Sequence, residues 1–485
     1  MKRKVAPVEK KRHFHLSYIN YVITFFLMFF VRFLPPVGGL SPVGMQVIGV
    51  WIGVLYGWVT LSISWPSVLG VVALGLTGYK HIDDLLMEAF GSQTMVMIMA
   101  LLLLAAFVQQ ADLTNLIVDF LLTRKCTQGR PYMTLFLFLM SGFLAAVLSQ
   151  CVAVLVLFLQ LFRQMMKMTE LKPYTPAIPT FLVGMVFAFV IGDIALPFKG
   201  CAILGIGAYE SLSGEVMNLM QYTAYVFPLC VFLIVAYVVF CKFILRVDLS
   251  GIKNYVHKPS SENQLTLRKK ISLIGVLAAL ILLLVPSILP ASWPITPVIN
   301  GMGLGGLALL IIGLFMVIKV EGEPLMDFDS LAKHFPWSVY FIIAILLPLS
   351  NAISSDEVGL NQMLSDAITP LLSGLPPVLV LFLMVLISGV ITNFANNMVI
   401  CTIFVTIIVF MGSALPFDPV MFSCLAIISS NLSMFFPAAN PMNAIVFSQK
   451  DIVTFKAELT HGLASFAFLC VVTTVVGYLY SLVIF

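Results

Sequence analysis

The chain has 485 residues, of which 60% are apolar and only 10% charged, with a net charge of +4 and a mean hydropathy of +1.06. A soluble chain of this size carries about 25% charged residues to clothe its surface. Charge this sparse excludes a soluble enzyme, a secreted disulfide scaffold and a disordered chain, and leaves a polytopic membrane protein.

The N-terminus, MKRKVAPVEKKRHFH, is basic, and no small-residue cleavage site follows it. Residues 1–16 therefore read as a cytoplasmic tail rather than a removable signal. Apolar runs near the roughly 20 residues needed to cross a bilayer follow at 17–34, 43–60, 61–79, 94–111, 177–196, 221–243, 271–290, 302–319, 337–353, 419–436 and 461–485. Basic loops stay cytoplasmic. Alternation from an inside N-terminus puts 23 of the 26 Lys and Arg residues on the inner side. The outer stretches are acidic instead: Asp83, Asp84 and Glu88, then Glu210 and Glu215, then Asp356, Glu357 and Asp366. A chain in the cytoplasmic membrane, bathed in lipid, is expected. Basic residues spread over loops give no reason to expect a nucleic-acid partner.

Two stretches break the alternation. Residues 133–162, MTLFLFLMSGFLAAVLSQCVAVLVLFLQLF, would make a helix of about 45 Å, too long for one crossing and too short for two. Polar Ser149-Gln150-Cys151 interrupts it, and basic residues flank both ends, so a re-entrant hairpin is expected. Residues 377–411 repeat the pattern around Thr392-Asn393-Phe394-Ala395-Asn396-Asn397, with acidic flanks. Each hairpin precedes a broken span, at 177–207 and 419–449. The same order from opposite faces is an inverted repeat, 17–245 and 271–485, split by the basic linker 246–270. The expected fold class is an all-α polytopic membrane protein with about 11 transmembrane helices plus two re-entrant hairpins. Secondary transporters hold substrate and coupling ions where such repeats meet.

The breaks carry the polar chemistry. Proline frees the carbonyl four residues back, so Pro437 and Pro441 would release those of Ser433 and Pro437, beside Asn431, Asn440 and Asn443. Freed carbonyls suit a small cation, and the N-terminus of a resuming half-helix suits an anion. The alternative is a plain kink in a packing helix. In the first break, Asp193 and Lys199 are the only formal charges expected deep inside an apolar crossing. Each costs roughly 2.5–3.5 kcal/mol at the bilayer centre. On a regular helix they would sit about 120° apart and about 9 Å displaced, so they meet only if the helix unwinds, as Gly192, Pro197 and Gly200 permit. Two readings stand: a self-neutralising structural pair, or a lysine that binds an anion or occupies a coupling-cation position. Asp112 and Asp119 read as interfacial. The eight cysteines, Cys126 among them, show no paired spacing and read as structural thiols. The six histidines show no metal-ligand spacing, and no nucleophile–base pair suggests an enzyme.

The layout over roughly 90–480 resembles the divalent anion:sodium symporter (DASS) family. FPWSVYFIIAILLPLSNAISSDEVGL (335–360), NFANNMVICTIF (393–404) and MFFPAANPMNAIVF (434–447) carry the resemblance most clearly, with QQADLTNLIVDFLL (109–122) and FVIGDIALPFKG (189–200) as weaker echoes. The resemblance implies an elevator-type secondary transporter of small organic anions, di- or tricarboxylates, with a homodimeric scaffold and Na+ or H+ as coupling ion and no other cofactor. Family hairpin tips read Ser-Asn-Thr. Here they read Ser149-Gln150-Cys151 and Asn396-Asn397-Met398, without either threonine. The implied substrate residues are Ser149, Gln150, Cys151, Asn396, Asn397, Lys199, Asn440 and Asn443. The implied ion-coupling residues are Asp193, Lys199, Ser149, Asn397 and Ala439, with Lys199 standing in for at least one sodium. A cation/proton antiporter using Asp193 and Lys199, and a non-transporting sensor that kept the fold, are the competing readings.

Overall fold

The computed structural model describes residues 8–36, 40–110, 114–124, 129–257, 266–284, 292–355, 358, 375–411, 418–437 and 439–485. The expectations attached to residues 1–7, Asp112, Cys126, Asp356, Glu357 and Asp366 lie outside the described residues. Six helices among the described residues are long and apolar enough to cross a membrane, and several shorter apolar helices of 10–17 residues accompany them. The architecture is helical, as expected, with one small addition. Lys319–Val320 and Glu323–Pro324 pair as an antiparallel ladder, turned by Glu321 and Gly322 at positive φ.

The chain divides into two compact units. One comprises residues 1–95, 211–214 and 337–373. In it α1 (Val8–Phe29) lies along α2 (Pro42–Thr60), which Ser41 caps and Pro42 opens. Glycines spaced by four residues line the contact. A Cβ on Gly49 would lie 2.7 Å from Val31 Cβ, and one on Gly53 would lie 2.5 Å from Met28 Cγ. Small residues at this spacing let two helix backbones approach where lipid offers no hydrophobic drive. The same unit holds α3 (Ser64–Gly75), α4 (Ile82–Leu86) and α15 (Trp337–Ser354).

The other unit comprises residues 96–210, 215–336 and 374–485. It takes most of α5 (Gln93–Gln110), then α6 (Thr114–Leu122), a helix the sequence pattern did not announce. Asp119 of α6 meets His257 Nε2 at 2.8 Å, which docks the start of the central linker against this helix. The first hairpin consists of α7 (Pro131–Leu148) and α8 (Cys151–Thr169). Its arms run beyond 133–162 at both ends. Each arm alone reaches crossing length, which corrects the expectation that the stretch is too short for two.

α9 (Ala177–Gly192) is wholly buried and fits against α7 through missing side chains. A Cβ on Gly142 would fall 1.9 Å from the Phe189 ring, and one on Gly192 would fall 2.7 Å from Phe143 O. The chain continues through α10 (Gly200–Ser213), α11 (Leu219–Val239), α12 (Leu267–Leu284), α13 (Thr296–Val317) and α14 (Phe328–Leu331). The second hairpin is α16 (Pro377–Thr392) and α17 (Asn397–Met411), and the second broken span is α18 (Pro419–Ser429) and α19 (Pro441–Phe447). Prolines open α7, α16, α18 and α19, where a missing N–H costs nothing. Arg163 of α8 forks onto Asp451 at 2.7 and 3.0 Å, just past α19. Those hydrogen bonds hold the Asp451 carboxyl below its ordinary range.

α20 (Phe455–Ile484) closes the chain. It starts six residues before the apolar run that announced it, and so takes Glu458, only 1% exposed, into a helix of crossing length. Asp193 and Lys199 are therefore not alone as acidic and basic groups within the apolar helices.

The α1–α2 contact gives a direct test. Gly53→Leu is expected to lower the thermal midpoint of the detergent-solubilised protein, at a cost of about 1–3 kcal/mol for overpacking. Gly313→Leu on α13, where nothing lies within 4 Å, is expected to leave it unchanged or higher. Fluorescence-detected size-exclusion melting checks both.

Candidate functional site

The first break runs from Asp193 to Lys199, between α9 and α10. Tyr222 of α11 holds it by donating to Ile194 O at 2.8 Å. Gly200 turns the chain into α10 with φ at +51°, and a Cβ there would lie 1.8 Å from Asp193 Oδ2. The carboxylate thus rests on the first residue of α10, at the positive end of that helix. The unwinding also lets the two charges meet. Lys199 Nζ lies 3.0 Å from Asp193 Oδ1, with side chains only 15% and 22% exposed.

The ammonium has two further partners, the carbonyls of Ala146 and Ser149 at the C-terminal end of α7. Its three hydrogens are therefore matched by three oxygens. These helix-end carbonyls have no partner within α7, and the negative end of the helix favours a cation. Carbonyl and carboxylate oxygens are also the donor set of a hard metal cation. The Cys151 thiol adjoins the pair, 3.3 Å from Phe189 O and 3.5 Å from Asp193 Oδ1. Ser149 Oγ and the exposed Gln150 amide have no side-chain hydrogen bond among the described residues and remain free to meet a ligand. Beside Lys199 lies a cavity of about 50 Å³ whose other walls are apolar, including Val147, Leu148, Leu196 and Phe198.

The second break, residues 430–440, is held by neutral groups. Asn393 is fully buried and bracketed four ways: it donates to Gly389 O (2.7 Å) and Leu432 O (3.0 Å), and accepts from the backbone N–H of Met434 and Phe435 (both 2.9 Å). Asn397 accepts from Thr392 Oγ1 at 3.0 Å and donates to Ser433 Oγ at 2.8 Å. Asn440 caps α19 by accepting from Asn443 N. The carbonyl of Ser433, expected to be free for a cation, is taken by Asn440 Nδ2 at 3.2 Å and Asn443 Nδ2 at 2.9 Å. The segment is not helical there, so the proline arithmetic no longer applies, and the amides fill the acceptor. Ala439 is buried within the same turn. Asn396 accepts from Met398 N at 2.9 Å, and its amide N–H groups stay free.

The two breaks are neighbours. Cys401, one turn beyond Asn397, donates to the carbonyl of Cys201 at 3.4 Å, two residues after Lys199. A Cβ on Gly205 of α10 would meet Ile427 of α18 at 2.5 Å. The structure thus brings Ser149, Gln150, Cys151, Asp193 and Lys199 together at one break, and Asn397, Asn440 and Asn443 at the other. Sequence reasoning missed Asn393 as the organiser of the second break. The signal was an amide in an otherwise apolar run.

Comparison with known proteins follows the same lines. A family model described as a citrate transporter matches residues 50–423. The sodium-dependent low-affinity dicarboxylate transporter 1 of Caenorhabditis elegans is 31% identical over 131 residues, 27% of this chain and 22% of that protein. Human solute carrier family 13 member 2 is 28% identical over 128 residues, 26% of this chain and 21% of that protein. The chain thus matches only about a fifth of the length of these relatives. The solved YdaH transporter of Alcanivorax borkumensis shares the fold, with a TM-score of 0.54 at 15% identity over 81% of this chain and 88% of that one. At such low identity this is a divergent member, yet the family match runs through both halves of the chain. It is a multi-pass membrane protein that belongs to the citrate transporter family.

Proposed function

We propose that the protein is a secondary transporter of a small organic anion, a di- or tricarboxylate, in which the Lys199 ammonium takes the position of a coupling sodium. One observation carries this reading: Lys199 Nζ sits among Ala146 O, Ser149 O and Asp193 Oδ1, an all-oxygen nest that a bare cation would otherwise fill. An added sodium 4 Å away would be repelled by about 4 kcal/mol at an effective dielectric of 20. The printed names of the relatives, a dicarboxylate transporter among them, support the substrate class.

In this reading Ser149, Gln150 and Asn396 meet the carboxylates, because their donors are not engaged by the protein. Asn397, Asn440 and Asn443 frame the second break, and Ala439 lies in its turn. Asp193 orients Lys199 and balances its charge. The hairpins enter from opposite faces and move with the broken helices against a homodimeric scaffold, an elevator motion supported by the family resemblance. In this reading the N-terminus is cytoplasmic, which the Lys and Arg distribution supports.

Proteoliposomes test the function. Labelled citrate or succinate should accumulate without sodium. A pH change on adding cations, with no acid present, would instead favour an antiporter. Lys199→Ala empties the oxygen nest, so transport should fall without sodium and recover when sodium is added. Unchanged uptake with an unchanged sodium response would remove the proposed role of Lys199.

Stability separates the charge pair from its context. Lys199→Met or Asp193→Asn alone leaves one buried charge without its partner, at a cost of about 3–5 kcal/mol. The double variant should melt above either single variant, although transport stays low. Thermal unfolding in detergent, read beside uptake, checks this.

A further inference from the structure

Glu458 is 1% exposed, and neither carboxyl oxygen has a hydrogen-bond partner among the described residues. No described cation pairs with it. A carboxylate held this way is costly, whereas the same group carrying a proton is far less so. Within membrane helices such a residue is a functional candidate by default.

Its position is informative. Phe455, Glu458 and Gly462 share one face of α20 by their spacing of three and four residues. The Phe455 ring lies 5.2 Å from that of Phe447, the last residue of α19. A Cβ on Gly462 would lie 2.9 Å from Met434 O and from Phe435 Cα. Glu458 therefore sits on the face of α20 that meets the second break at Met434 and Phe435 and the far end of α19 at Phe447. A motion that lifts this break would uncover the carboxyl.

A route to water lies alongside. His461, one turn along α20, lines an open groove of about 430 Å³ together with Tyr174, Val247, Thr454 and Ala457. Tyr237 OH donates to Thr180 O at 2.7 Å and lies 3.1 Å from His461 Nε2. The hydroxyl has one proton, so Nε2–H donates to the tyrosine oxygen and Nδ1 is left to accept. The elements packed on α20 bring few other titratable groups. α9, α16 and α19 contain none, α18 brings Cys424, α11 brings Tyr222, Tyr225, Cys230 and Tyr237, and Cys241 follows it. α20 itself adds the exposed Lys456, the buried Cys470 and the half-buried Tyr478 and Tyr480.

We infer that Glu458 is a proton-binding site coupled to the second break. It holds its proton while the break covers it, and releases it through His461 Nδ1 to water in the groove when the break lifts. Only the transport consequence rests on the function proposed above.

Infrared difference spectra of wild type against Glu458→Gln, taken in nanodiscs across pH, test protonation without any substrate. A protonated-carboxyl band at neutral pH that disappears in the variant supports the assignment, and its absence from wild type overturns it. If the glutamine variant does not fold, Glu458→Asp should shift that band, and an unshifted band overturns the assignment. Uptake driven by a pH gradient should then be lost in Glu458→Gln while exchange of labelled for unlabelled citrate persists. Retained gradient-driven uptake overturns the coupling role. A band present in a protein that moves no carboxylate would leave the proton site standing and reject the transport reading.

Discussion

A positive charge buried in a membrane must be answered by oxygen, and this requirement organises the first half of the molecule. Lys199 finds a carboxylate and two helix-end carbonyls. Reaching them demands that the chain stop being helical between Asp193 and Lys199, that Gly192 sit flush on α7, and that Gly200 leave the Asp193 carboxylate the space a Cβ would take. The break, the close α7–α9 contact and the interruption after Leu148 are parts of one solution.

The second half solves a similar problem without charge. Asn393 replaces missing backbone hydrogen bonds on four sides, and the amides of Asn440 and Asn443 close on the Ser433 carbonyl. Both breaks are thus filled by the protein's own donors, an ammonium in one and amides in the other. The contact of Cys401 with Cys201 makes them two walls of a shared region.

Much of this was legible in the sequence because a bilayer makes polar groups conspicuous. Asp193 and Lys199 stand out at once, and Gly192, Pro197 and Gly200 announce the unwinding that joins them. The Asn-rich stretches mark the second break for the same reason. Glu458 escaped because it lies in KAELTHG, polar enough to read as a loop, and only tertiary packing pulls that turn into the interior. The Ser433 carbonyl was misjudged because proline bookkeeping assumes a helix, and the chain there has already left one. α6 and the two-residue ladder are too short for periodicity to register.

The Lys199–Asp193 pair has an electrical consequence. If the protein cycles as proposed, the paired side chains themselves contribute no net charge to the empty carrier. A carboxylate bound beside them would then bring uncompensated negative charge, worth about 2.3 kcal/mol per charge for each 100 mV traversed. On that reading a fixed lysine moves voltage sensitivity onto the loaded step, where a mobile sodium would cancel it.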